Sequence, residues 1–288
     1  MDNTNPKLLE NSQLSFIGCG AMAEAIVAGL LRQNLVNPRQ IAASHPRKNR
    51  RDELAAKYEI ETFESNRDAA RAAQSANSNN ENAIIALCVK PQRLNGVLNE
   101  LRGAIEESAL VASIIAGARI EKIADALDHK RIVRTMPNTP SQIAEGMTAW
   151  TTTPEVTANQ QAQIKTLPGA LGKEIHVETE NQIDMATALS ATGPTYIFMV
   201  MEALTDAGVH LGFSRHVAQE LVNQTILGSV LYAMESHKHP AELRNQVTSP
   251  GGTSAEAIYQ MEKGGLRTVL SKAVYAAFNR AVALGEKK

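Results

Sequence analysis

The stretch "LSFIGCGAMAEAIVAGLLRQ", Leu14 to Gln33, decides the fold. Leu14–Ile17 is a short apolar run of β type, and from Ala21 the apolar residues recur at helical spacing. Between them Gly18, Gly20 and Ala23 form G-x-G-x-x-A at a strand-to-helix turn. Gly18 permits the tight turn, Gly20 lets a pyrophosphate approach the backbone, and Ala23 lets the helix pack close to the strand. The amides opening that helix face the phosphates with the positive end of its dipole.

Outward from this turn the alternation continues. "IAAS" (Ile41–Ser44) precedes a charged helix around Arg51–Tyr58. "AIIALCV" (Ala83–Val89), "ALVASII" (Ala109–Ile115) and "RIVRTM" (Arg131–Met136) are unbroken apolar or β-branched runs, as parallel strands covered on both faces require. "MTAWTTT" (Met147–Thr153) and "EIHVE" (Glu174–Glu178) flank a helix-like segment, and the small polar residues between Ala69 and Asn82 read as a helix end and surface loop. After about Glu180 the strand signals stop and helical spacing takes over. The expected architecture is an α/β Rossmann-type N-terminal domain, a doubly wound sheet, followed by an all-α domain. The expected divisions are a tail over 1–13, the NADP-binding domain over 14–179 and the helical dimerisation and substrate domain over 180–288. Tyr196–Leu204 is apolar almost all round, which predicts a helix buried on nearly every side. Helices with that much apolar surface are expected to pair with a second copy of the chain, in preference to forming a compact monomeric lobe.

An NAD site offers Asp or Glu at the end of its second strand for the ribose 2′-hydroxyl. Here that strand ends in Ser44, then Arg47, Lys48, Arg50 and Arg51, with no acid before Asp52. A hydroxyl and cations suit a 2′-phosphate, so NADPH is the expected cofactor and NADH the lesser one. The alternative, a solvated basic helix start, opposes the helix dipole unless an anion sits there.

The 288 residues carry a net charge of −1, which argues against a grip on nucleic acid or anionic lipid. The residues before Leu14 lack the apolar core of a signal peptide, and no segment offers the roughly 20 apolar residues of a membrane span. A cytoplasmic enzyme is expected. Cys19 and Cys88 read as small buried hydrophobes, and the seven scattered histidines suggest no metal site.

Four further segments join the fingerprint: "VKPQ" (Val89–Gln92), "MPNTP" (Met136–Pro140), "SATGPTY" (Ser190–Tyr196) and "VTSPGGTS" (Val247–Ser254). In this order and at these separations they resemble pyrroline-5-carboxylate reductase, from Leu14 to Gly285. The resemblance implies NADPH-dependent reduction of 1-pyrroline-5-carboxylate to L-proline by a dimer, with rings of dimers as a further assembly. It also implies cofactor contacts at Ile17, Gly18, Cys19, Gly20, Ala21 and Met22, at Ser44 beside the 2′-phosphate and at Asn66 near the adenosine. Cys88, Val89, Lys90 and Pro91, with Ile114, Ile115 and Ala116, complete the implied set at the carboxyl ends of two strands. The chain departs from the family at Ala191 and Thr195, which are bulkier than usual and expected to narrow the site, and at Ala21, where asparagine is common.

Hydride delivery to a cyclic imine needs little acid catalysis, because the nitrogen can be protonated beforehand. A carbonyl reductase on the same scaffold needs a positioned lysine or histidine, yet no lysine occurs between Lys173 and Lys238. This disfavours a β-hydroxyacid dehydrogenase-like reductase; a non-catalytic NADP-binding regulator is the other alternative. From its residues "TSPGGTS" reads equally as a plain helix N-cap or as an anion site built of amides and hydroxyls. The resemblance implies the second, with the substrate carboxylate at Ser249, Gly252 and Thr253 and the ring nitrogen at Ser254, the candidate catalytic hydroxyl.

Overall fold

The computed structural model describes residues 8–75 and 82–286; the start of the expected N-terminal tail and residues 76–81 of the loop expected between Ala69 and Asn82 lie outside the described residues. The chain divides into two compact units, residues 1–192 with 277–288, and residues 193–276.

The first unit alternates β1 (Gln13–Ile17), α1 (Ala21–Arg32), β2 (Ile41–Ser44), α2 (Lys48–Tyr58), β3 (Glu61–Phe63), α3 (Asn66–Ser75), β4 (Ala83–Leu87), α4 (Leu94–Leu101), β5 (Leu110–Ser113), α5 (Ile120–Leu127) and β6 (Ile132–Met136). It continues through β7 (Gly146–Thr152), α6 (Ala158–Gly169), β8 (Gly172–His176) and α7 (Glu180–Ala186). The sheet order is β3-β2-β1-β4-β5-β6-β7-β8. Because side chains alternate along a strand, the continuous apolar runs supply both faces. Phe16, Ile84, Ala86 and Ala112 pack with Val27, Leu30 and Ile164 on one side. Ile17, Ile85, Leu87 and Val111 pack with Ala69, Leu98 and Ile123 on the other. The expected doubly wound layering is therefore present.

Two details differ from the sequence reading. The short edge strand β3 carries no apolar run and gives no signal of its own. β7 pairs antiparallel with β6, so the sheet is mixed. Only residues 137–145 join β6 to β7, and a parallel return needs a crossover of about a dozen residues or more.

A buried ion cluster fixes α7 to β6. Arg134 is fully buried; its Nη2 donates to Asp184 Oδ1 at 2.6 Å and its Nη1 to Glu180 Oε1 at 2.9 Å. Arg119 Nη2 approaches Asp184 Oδ2 at 3.0 Å, an ion pair whose angle is too poor for a hydrogen bond.

The second unit comprises α8 (Gly193–His210), α9 (Arg215–Ser236), α10 (Pro240–Gln246), α11 (Thr253–Lys263) and the first half of α12 (Leu266–Glu286), whose last turns group with the first unit. Gly208 lets α8 approach α9, since a Cβ there would lie 2.9 Å from that of Ala218. Thr205 and Ala218 are its only buried residues among those described. The expectation that Tyr196–Leu204 is buried on nearly every side is not met in one chain: Phe198 is 60% and Met199 65% exposed. A single bundle this thin has no second layer to cover them.

Removing Asp184 leaves the fully buried Arg134, among the described residues, with only the partly exposed Glu180 as its carboxylate partner. Asp184→Ala is expected to cost about 3–5 kcal/mol, seen as a lower urea midpoint. The double replacement Arg134→Met, Asp184→Leu should recover most of the loss.

Candidate functional site

The strand order reverses between β1 and β4, and the crevice at the carboxyl ends of such a pair is where doubly wound sheets bind ligands. Here the phosphate-loop candidate and the loop after β4 touch. Gly18 has φ +83°, and a Cβ on it would meet Val89 Cγ1 at 2.3 Å, so neither the conformation nor the space admits a side chain. Around it Cys88 N–H donates to Ile17 O and Cys19 N–H to Ser44 O, both at 2.9 Å. α1 then opens at Ala21 with no side-chain cap on its first amides.

A cleft of about 600 Å³ lies over this junction, lined by Gly18, Gly20, Asn66, Cys88, Val89 and Lys90 among others. Six of the expected cofactor residues are thus together. Ile17 and Cys19 are buried and offer only backbone, while Ala21 is exposed and Met22 half-buried at the start of α1. Ser44 is fully buried, and both capacities of its hydroxyl are engaged: it accepts from Gly18 N–H at 3.1 Å and donates to Asn66 Oδ1 at 2.7 Å. It therefore braces the turn from beneath rather than facing the cleft. Asn66 is itself fixed, donating from its backbone and side-chain nitrogens to Glu100 at 2.8 and 2.7 Å.

Ile114, Ile115 and Ala116 do not line this cleft. They follow β5, where Ile115 and Ala116 share a hollow of about 300 Å³ with Pro91, Lys122 and Arg280. Two cleft residues the sequence did not single out are His45 and Pro46. His45 Nδ1 accepts from the Arg47 amide at 3.2 Å. Burial and the nearby Arg47 charge lower its pKa, so at neutral pH the ring is neutral and carries its proton on Nε2.

The charges at the start of α2 are almost all spoken for. Lys48 pairs with Asp52, Arg50 with Glu24 and Glu53, and Arg51 with Glu64. Among the described residues Arg47 is the one cation of this run without a carboxylate partner, and it is exposed. Both thiols stay protonated: burial pushes Cys19 up to about 12 and raises Cys88 as well. Neither is a nucleophile.

In the second unit the "TSPGGTS" candidates form one compact turn. Gly251 has φ +71°, and a Cβ on Gly252, the residue capping α11, would fall 2.5 Å from Ser249 Oγ and displace that hydroxyl. Gly252 N–H donates to Ser249 O at 3.0 Å, and no side chain caps the helix. The amides of Thr253 and Ser254 thus open α11 beside the hydroxyls of Ser249, Thr253 and Ser254, with no ionisable residue from Thr248 to Ser254 and Glu256 following in the first helical turn. The plain N-cap alternative lacks its hydrogen bond. Of the three departures noted in sequence, Ala191 packs against the small cluster of Met136, Ala149 and Ile183, while Ala21 and Thr195 are exposed.

Residues 180–284 match the family model for pyrroline-5-carboxylate reductase dimerisation, and residues 13–117 match that for NADP oxidoreductase, coenzyme F420-dependent. The pyrroline-5-carboxylate reductase of Synechocystis sp. is 38% identical over 275 residues, 96% of this chain and 99% of its own. The chain belongs to the pyrroline-5-carboxylate reductase family. Two solved pyrroline carboxylate reductases share the fold over its whole length. That of Plasmodium falciparum, with NADP bound, has a TM-score of 0.85 at 30% identity, covering 96% of this chain and 99% of that one. That of Coxiella burnetii has a TM-score of 0.85 at 36% identity, covering 96% and 100%.

Within this pyrroline-5-carboxylate reductase fold, Glu24 lies in the first turn of α1. Burial would raise its pKa, but hydrogen bonds from Arg50, Lys57 and Tyr58 outweigh that and hold it at about 2, against an ordinary 4.5. A depressed folded-state pKa gives stability that is fully present above about pH 4.5 and lost as pH falls towards 2. The urea midpoint of the wild type should therefore fall more steeply between pH 5 and 3 than that of Glu24→Gln; identical pH profiles would disprove the assignment.

Proposed function

We propose that this chain catalyses the NADPH-dependent reduction of 1-pyrroline-5-carboxylate to L-proline, the last step of proline biosynthesis, as a cytoplasmic enzyme. The observation that carries the reading is full-length kinship with reductases of that name, one of them solved with NADP bound. This chain's own residues fit that cofactor. The side-chain-free contact of Gly18 with Val89 leaves backbone at the surface of the cleft, as a pyrophosphate requires, and the uncapped start of α1 supplies amides. For the 2′-phosphate we propose Arg47 and the Nε2–H of His45, with Ser44 supporting the turn and Asn66 the adenosine end. Ile17–Met22, Cys88–Pro91 and Ile114–Ala116 are proposed to complete the cofactor's surroundings.

When bound, NADPH supplies the hydride that reduces the C=N bond. The protein's share is positioning. The amides of Thr253 and Ser254, with Ser249, Gly252 and the Thr253 hydroxyl, are proposed to hold the substrate carboxylate, which hydrogen bonds can do without a buried cation. The Ser254 hydroxyl is proposed to hydrogen-bond the ring nitrogen and orient the imine. A protonated imine needs no further acid, which agrees with a turn free of ionisable groups.

A homodimer follows from the same kinship and from the exposed apolar residues of α8, α9 and α12. Leu227, Leu231 and Val269 are each more than half exposed in a single chain. A second copy of the same helices is the economical cover, and rings of such dimers are the further assembly proposed.

NADPH oxidation followed with pyrroline-5-carboxylate tests the reading; tight NADPH binding with no turnover would sink it. Ser254→Ala should slow turnover and weaken substrate binding about tenfold or more while leaving NADPH affinity intact. Arg47→Ala should raise the KM for NADPH about tenfold or more, the loss of a charge-assisted contact, and leave that for NADH unchanged.

A further inference from the structure

Glu24 stands where a carboxylate should not be. It occupies the first turn of α1, its amide donating to Gly20 O at 2.9 Å, at the helix end offered to the cofactor phosphates. A free anion there would repel them. Instead its side chain is 18% exposed and is gripped by three donors. Arg50 Nη2 bonds Oε2, while Lys57 Nζ and Tyr58 OH donate to Oε1 at 2.9 and 2.8 Å. All three belong to α2, and residues seven and eight apart lie on one face of a helix. One carboxylate of α1 thus holds a two-turn face of α2.

Arg50 lies near the start of α2 and Lys57 and Tyr58 at its end, so the clamp fixes the helix along its length, its start included. α2 has no acid in its first turn and begins with Arg47 at its N-cap and Lys48 in its first position, an arrangement its dipole disfavours until an anion arrives. Arg51 secures the preceding connection, donating to the carbonyls of His45 and Pro46 at 2.8 and 3.0 Å. The phosphate loop is braced separately, by Ser44 and by the Val89 contact, neither of which involves α2.

We propose that Glu24 is a positioning residue for cofactor choice: by clamping Arg50, Lys57 and Tyr58 it fixes α2, its start included, against α1, so that Arg47 stands ready for the 2′-phosphate. This rests on the reading of Arg47 given above. Because the two supports are separate, loss of Glu24 loosens the contact peculiar to NADPH and spares those NADPH shares with NADH. A merely structural carboxylate would affect both alike.

The test is a double-mutant cycle on the full-length enzyme, with KM measured for NADPH and for NADH in wild type, Glu24→Gln, Arg47→Ala and the double variant. Glu24→Gln is expected to raise the KM for NADPH about threefold or more, with NADH changed less than about twofold and no further loss when Arg47 is already alanine. Equal effects on the two cofactors, or a full Glu24→Gln effect surviving in the Arg47→Ala background, would overturn the proposal. Arg47→Ala without any change in the NADPH-to-NADH ratio would instead sink the 2′-phosphate reading itself. A selective Arg47→Ala with a silent Glu24→Gln sinks only the clamp. If Glu24→Gln does not fold, Tyr58→Phe removes a single donor and should shift the same ratio in the same direction by less; no shift there counts against the clamp.

Discussion

The missing side chain of Gly18 is the constraint on which the first unit depends. β1 and β4 lie side by side at the reversal of strand order, and the loops that follow them must leave the sheet at the same place. They can do so only because Gly18 adopts a left-handed conformation with Val89 where its own Cβ would be. Everything nearby is registered to this contact: Cys88 bonds back to Ile17, Cys19 to Ser44, and the Ser44 hydroxyl bridges Gly18 and Asn66. Gly18 and Gly20 leave backbone open to the crevice above, and α1 begins uncapped beside them.

The two candidate binding places meet anions by different means. The cleft in the first unit is set among charges, but most are neutralised in pairs, leaving a basic helix start with one unpartnered arginine. Pairing confines the attraction to one direction and so gives specificity rather than bulk affinity. The turn before α11 has no charge at all. Amides and hydroxyls there can hold a carboxylate without the desolvation cost of an ion pair. That choice suits a substrate whose reacting nitrogen carries its own positive charge when protonated.

The second unit poses a different problem. Its helices are internally bonded, and α9 and α10 are capped, with Ser214 accepting from Val217 N–H and His239 from Ala241 N–H. They nevertheless leave large aliphatic and aromatic side chains in water. Helices stable in backbone terms but bare in packing terms are what a dimerisation domain looks like when one copy is seen alone.

Much of this was legible in the sequence because it is periodic or conformational. Unbroken runs such as "AIIAL" declare strands with both faces covered, and G-x-G-x-x-A between a strand and a helix declares the turn, since glycine at position 18 meets a positive φ and a close approach without strain. β3 escaped notice because three residues carry no period, and the reversal of β7 because direction depends on connection length rather than on composition. Within the site, the type of residue could be read but not its aim. Ser44 ends the second strand as expected, yet only the packing of β1, β2 and α3 turns its hydroxyl inward and leaves His45 and Arg47 outside. Likewise "TSPGGTS" announces a break in the chain, whereas the uncapped amides and the pressed Gly252–Ser249 contact arise from its fold. Sequence by itself determined the layers, the turn and the family, because those follow from local spacing. Tertiary structure decided which polar atoms were spent inside and which remained for a ligand, because hydrogen-bond partners distant in the chain compete for each one.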